Sequence, residues 1–205
     1  MSPRSLAAAL CLFAILVLAP TAQASWLDTA LQDCGSTPFE HPFTQWLDPL
    51  PYVPVPNGDL EGGSSWRLSA GAGIVAGNES FYVGGADDRH SLALPAGASA
   101  VTPATCLGID RPTVRFFARR TSGGLLDLAS VLKVDVIYED ASGSVLSLPL
   151  LPATGGTSWA PSLPTPVVAN LIPQLGGAAA VAFRFTAVGG SWLVDDVYVD
   201  PYAKY

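Results

Sequence analysis

Apolar and polar residues alternate with a period of two along much of the chain after Asn57. In 113–119, Val114, Phe116 and Ala118 alternate with Arg115, Phe117 and Arg119. In 132–139, Leu132, Val134, Val136 and Tyr138 alternate with Lys133, Asp135, Ile137 and Glu139. In 181–186, Val181, Phe183 and Phe185 alternate with Ala182, Arg184 and Thr186. Each segment offers one apolar side and one mixed side, as strands in a two-layer sandwich require. The pattern predicts strands over 58–61, 65–76, 81–84, 90–94, 98–102, 112–119, 131–139, 144–150, 165–170, 179–187 and 191–199. Gly-Gly, Asp-Asp, Pro-Ala-Gly and Ala-Ser-Gly breakers lie between them. No segment has a strong helical period; the nearest exception, Leu125 to Leu132, reads as a short turn. Many short strands without intervening helices predict an all-β sandwich or barrel.

The first 56 residues follow other rules. Residues 1–24 read as a secretory signal: Arg4, an apolar run from Leu6 to Ala19, Pro20, and an Ala22-Gln23-Ala24 cleavage site. The rival reading is an uncleaved anchor, but a run of about 14 residues is short of the roughly 20 that a span needs. The expectation is an extracellular chain with no membrane span after cleavage. Residues 25–56 form an arm punctuated by Pro38, Pro42, Pro49, Pro51, Pro54 and Pro56, so extended and turn-like. Trp46 and Tyr52 are expected to cover an edge of the domain at 57–205. Cys11 leaves with the leader. Cys34 and Cys106 remain, 72 positions apart. An exported chain with two cysteines points to one bridge, worth about 4 kcal/mol on the chain-entropy model; two buried free thiols are the alternative. Leu151-Pro152-Ala153-Thr154-Gly155 spells a wall-anchoring motif, but strand-like sequence follows where an apolar tail belongs, so the match reads as coincidence.

Composition narrows the function classes. The 205 residues carry 10 basic and 17 acidic side chains, a formal charge of −7, and 49% hydrophobic residues. An acidic chain without a basic run is a poor partner for nucleic acid or an anionic membrane. No Gly-x-Ser-x-Gly or His-Glu-x-x-His motif occurs. His41 lies in the arm, and Asp87, Asp88 and His90 form a dense polar cluster that reads as a solvated loop. The expectation is a protein without catalysis.

Two short segments mark the ends of the domain. One is Asn57-Gly58-Asp59-Leu60-Glu61 with Gly62, Gly63 and Trp66; the other is Trp192-Leu193-Val194-Asp195-Asp196-Val197-Tyr198-Val199. The pairing resembles the calcium-containing jelly-roll carbohydrate-binding modules of the galactose-binding-like superfamily, over residues 57–199. The whole chain also resembles a group of secreted bacterial proteins that share its leader, early cysteine and terminal stretch. The resemblance implies a jelly-roll β-sandwich of two antiparallel sheets. It also implies neighbouring first and last strands, and a structural Ca2+ held by Glu61 and Asp195. The residues themselves leave two readings open. Alternation puts Leu193, Asp195, Val197 and Val199 on one face, where a carboxylate among aliphatics needs a partner or a metal; or the carboxylates cap backbone amides at strand ends. Asp196 is expected to face the other way.

A second polar group consists of Arg115, Phe117, Arg119, Lys133, Asp135 and Arg184, on the non-core sides of three strands. If those strands share a sheet, Arg115, Phe117, Asp135 and Arg184 form a ligand-binding platform, with an aromatic plane for stacking and planar charges for hydroxyls. Otherwise they are a solvated face with cross-strand ion pairs. Trp66 and Trp192 are expected in the core; Trp159 and Tyr82 are candidates for a rim. The function expected is recognition of a glycan or cell-surface polymer. The rivals are a structural or adhesive protein making protein contacts, and a glycoside-directed hydrolase.

Overall fold

In the computed structural model, the residues described are 27, 38–63, 65–108, 113–122, 130–140, 142–167 and 178–200. The leader lies outside them. Among the described residues, thirteen strands follow a short 3-10 turn at Thr44–Trp46. They are β1 (Val53–Pro54), β2 (Arg67–Ser69), β3 (Gly73–Ala76), β4 (His90–Leu94), β5 (Ser99–Val101), β6 (Thr105–Gly108) and β7 (Thr113–Arg120). Then come β8 (Val131–Glu139), β9 (Val145–Pro149), β10 (Ala160–Pro161), β11 (Thr165–Pro166), β12 (Ala178–Val188) and β13 (Trp192–Asp200). Sheet one runs β10-β7-β13-β4-β3, with β1 on β13 and β11 on β7. Sheet two runs β2-β5-β12-β8-β9, with β6 on β12. Every pairing is antiparallel, and the two sheets make a jelly-roll β-sandwich.

The alternation read from the sequence sets the core. Val114, Phe116 and Ala118 of β7 meet Val134, Val136, Val181, Phe183 and Phe185 of sheet two between the layers. Trp66 and Trp192 are buried in the same cluster. The segments 58–61 and 81–84 are turn and loop, not strands. The run 65–76 is split by a turn in which Ala70 and Gly71 take positive φ.

The last strand departs from simple alternation. Asp195 pairs with Phe117 and Tyr198 with Arg115, so three steps on β13 face two on β7. This bulge carries Asp196 at φ +48, a conformation Asp tolerates better than most residues. The expected single face of Leu193, Asp195, Val197 and Val199 is therefore overturned. Trp192 and Val194 point into the core before the bulge, and Val197 and Val199 after it.

The opening motif clamps onto this bulge. Val55 N–H donates to Val197 O at 2.9 Å, and Val197 N–H to Gly58 O at 3.2 Å. A Cβ on Gly58 would lie 2.5 Å from Val197 O, so only glycine fits. First and last segments of the domain thus meet, as expected.

The arm covers faces rather than an edge. Leu27 is fully buried on the outer side of sheet two, against Ile137, Ala180 and Ala182. Phe43 and Tyr52 pack with Phe117 and Tyr198 on the outer side of sheet one. Asp48 fastens this part: its Oδ2 accepts from Tyr52 OH at 2.6 Å and pairs with the Arg115 guanidinium. The wall-anchoring look-alike is folded in, since Ala153 bridges to Leu132 through two backbone hydrogen bonds.

Candidate functional site

The expected platform is divided by the sandwich. β7 belongs to sheet one, whereas β8 and β12 pair with each other in sheet two. Arg115 and Phe117 therefore lie on the opposite outer face from Asp135 and Arg184, and no one ligand surface contains all four. Alternation identifies a strand's buried side, but the partner strand is chosen by distant sequence. Phe117 is fully buried beneath Phe43, whose ring stacks on it at 5.5 Å, and Arg115 lies 4.1 Å over Phe43. On sheet two, Asp135 is buried and accepts from Arg184 Nε at 3.1 Å and Nη2 at 3.0 Å, while Lys133 Nζ lies 3.1 Å away. The Arg184–Asp135 pair is cross-strand, and Lys133 joins it from Asp135's own strand.

Among the described residues, sheet one keeps an uncovered row. Arg119 of β7 pairs with Leu193 of β13, Leu193 with Ala93 of β4, and Ala93 with Gly73 of β3. All four are half-buried and stand on the outer side, because their strand neighbours fill the core. A Cβ built on Gly73 meets nothing within 4 Å, so the space above it is open. Three inter-strand steps make the row about 14 Å long. At its β7 end the half-buried Trp159 closes it, with the Arg119 guanidinium 5.4 Å from its ring centre. Small residues at the centre leave a shallow floor.

An aromatic group belongs to the same face. Trp46 packs edge-on to Phe81 at 4.8 Å and to Phe117 at 5.2 Å. Phe81 is 39% exposed and Tyr82 52%, the latter at φ +55. Their loop is held by a buried carboxylate: Glu79 accepts from Phe81 N–H and, at 2.7 Å, from Val83 N–H. Glu79 N–H in turn donates to Asp195 Oδ2 at 2.9 Å. Sequence reading selected Tyr82 and Trp159 as rim candidates but missed Phe81, Trp46 and the Arg119 row.

The carboxylates singled out for a metal have other partners. Glu61 Oε1 accepts from the N–H groups of Arg89 and His90 at 2.6 and 2.7 Å, and its Oε2 lies 2.7 Å from His90 Nδ1. Burial works against its charge, but these donors outweigh it and hold the carboxyl below its usual range. Asp195 is fully buried; besides Glu79, its Oδ1 accepts from Asp196 N–H at 3.0 Å. Burial and the neighbouring Asp196 push its pKa up to about 9.

Asp88 and Asp196 come together instead. A Cβ on Gly84 would meet Asp88 Oδ2 at 2.5 Å and Asp196 Oδ1 at 2.7 Å. Both carboxylates are buried, and the Oδ2 of each has no hydrogen-bond partner among the described residues. Burial, then neighbouring acids, raises Asp88 to about 6 and Asp196 to about 8. The solvated-loop reading holds for the exposed Asp87 and fails for Asp88. Beside them is a cavity of about 330 Å³, lined by Glu40, Asp59, Asp196, Tyr198 and backbone near Gly58. Among the described residues, no three His, Cys, Asp or Glu side chains form a metal-holding group, and no helix is long and apolar enough to cross a membrane.

Comparison with known proteins gives likeness in structure alone. No protein-family model matches the chain, and no curated protein matches it in sequence. A xylan-binding CBM22-1 domain of Paenibacillus barcinonensis Xyn10C is similar at TM-score 0.46 and 10% identity, over 72% of this chain and 92% of that one. TmCBM61, solved with β-1,4-galactotriose, is similar at 0.38 and 18%, over 71% and 95%. The enzymatically active domain of a bacteriophage CBA120 tailspike is similar at 0.45 and 17%, over 71% of this chain; this chain covers only 21% of that domain.

Proposed function

We propose that the mature chain is a secreted, non-catalytic binding module for a glycan or cell-surface polymer. The ligand lies across the outer row of sheet one. The observation that carries this reading is the uncovered row Arg119–Leu193–Ala93–Gly73, closed by Trp159. A sugar polymer needs a flat apolar floor, an aromatic ring for its C–H faces and a few planar polar groups for its hydroxyls. The row supplies the floor, the Trp159 ring and one planar polar group, the Arg119 guanidinium, and the ring wall of Trp46 and Phe81 lies on the same face. Affinity electrophoresis against soluble polysaccharides tests it. Gly73→Gln places a side chain in open space without disturbing the core and should block retardation; a blocked row that still binds would end the reading.

A hard cation such as Ca2+ fits the Asp88–Asp196 pair. Two convergent buried carboxylates with unpartnered oxygens favour a divalent ion, and backbone carbonyls and water would complete a shell of six to eight oxygens. Its role would be structural, locking the 84–88 loop to the β13 bulge. We also propose the Cys34–Cys106 bridge. Cys34 lies outside the described residues. Cys106 is buried opposite Ala180, on the outer face where Leu27 docks, which is the side of sheet two that the arm reaches.

A further inference from the structure

We infer that the row on sheet one selects an acidic glycan, one that presents uronate carboxylates; this rests on the glycan reading above. Arg119 is the row's one charged side chain. The chain carries 17 carboxylate residues, yet Arg119 makes no ion pair among the described residues, and its buried Nε has no hydrogen-bond partner there. Arg115, four residues earlier on the same face, shows the contrast: Asp48 neutralises it and Ser162 O accepts its Nε–H at 2.9 Å. A guanidinium held at the ring of Trp159 is oriented, because the ring limits its rotamers while its planar fork stays available. That fork matches a carboxylate in a bidentate fashion better than it matches single hydroxyls.

The rest of the row excludes a second strong charge. Leu193, Ala93 and Gly73 offer no donor or acceptor beyond the backbone, so a sugar over them is held by packing. Charge discrimination falls on Arg119 alone, and the ring beside it takes the apolar face of the same sugar. The chain's net charge of −7 repels a polyanion at long range, so attraction to the carboxylate depends on this one contact. An acidic peptide offers carboxylates too, but no rigid ring face to lie against Trp159 and the flat floor.

Isothermal titration of the full mature chain with oligogalacturonate, with a neutral galacto-oligosaccharide and with poly-glutamate tests the inference. Oligogalacturonate should bind most tightly. Arg119→Gln should weaken it by about tenfold or more, with the neutral sugar little affected, and Arg119→Lys should restore only part. Trp159→Ala should weaken both sugars. Equal binding of acidic and neutral sugars, or an unaltered Arg119→Gln, overturns acid selection while leaving the glycan reading in place. Poly-glutamate binding as tightly as the uronate overturns it in favour of a peptide site. Binding of neither sugar removes the glycan reading itself.

Discussion

The backbone N–H of Glu79 donates to Asp195 Oδ2 at 2.9 Å, joining positions 116 apart in sequence. The contact fixes the exposed aromatic loop to the terminal strand. Glu79 then passes the constraint on, accepting from Phe81 and Val83. Glu79→Ala leaves two loop amides without their acceptor, at a cost of about 1–3 kcal/mol. Chemical denaturation should register that loss, with Glu79→Gln less affected. If Phe81 contributes to the ligand surface, polymer binding should weaken in parallel.

Calcium should raise the melting temperature and a chelator should lower it. An ion that binds only the folded chain at about a hundred times its dissociation constant adds about 2.7 kcal/mol. Asp196→Asn should remove the response. A melt that ignores both calcium and chelator would dispose of the ion.

Glu61 sets an acid limit. Its folded carboxyl titrates below its ordinary value of 4.5 because Arg89 N–H and His90 hold the charged form. The stability it confers is present above the unfolded value and disappears as pH falls through the folded one. Glu61→Gln should flatten the unfolding profile below about pH 4.5 relative to the parent chain. An unchanged slope there would show that these contacts do not persist in solution.

Arg184→Gln removes the cross-strand partner of the buried Asp135 on the far side of the sandwich and leaves it Lys133. It should cost about 1–3 kcal/mol and leave polysaccharide retardation unaltered. Loss of binding in this variant would move the ligand to sheet two.

A thiol assay on the denatured, unreduced mature chain should find no free cysteine, and reduction should lower its melting temperature. Two reactive thiols would refute the Cys34–Cys106 bridge.

The layer architecture was legible because alternation is local: Val114, Phe116 and Ala118 reveal their buried side without any knowledge of a partner. The division of Arg115 from Arg184 was not legible, since strand pairing is decided across the whole chain. The bulge at Asp196 left only the Asp-Asp doublet as a signal, and a tolerance for positive φ does not announce its use. Neighbouring Asp87 and Asp88 look alike in sequence, yet one is solvated and the other buried. An irregular loop has no period from which that difference can be read. Phe43 and Trp46 stood in a proline-rich arm with no pattern to indicate which face they would cover.

The arm touches both outer surfaces, Leu27 on one and Phe43 on the other. A protein trimmed to begin at Asn57 would lay bare Phe117, Tyr198 and Ile137 at once, on opposite sides. Such a fragment would be prone to self-association, so recombinant versions should start at Ser25, upstream of the whole wrap.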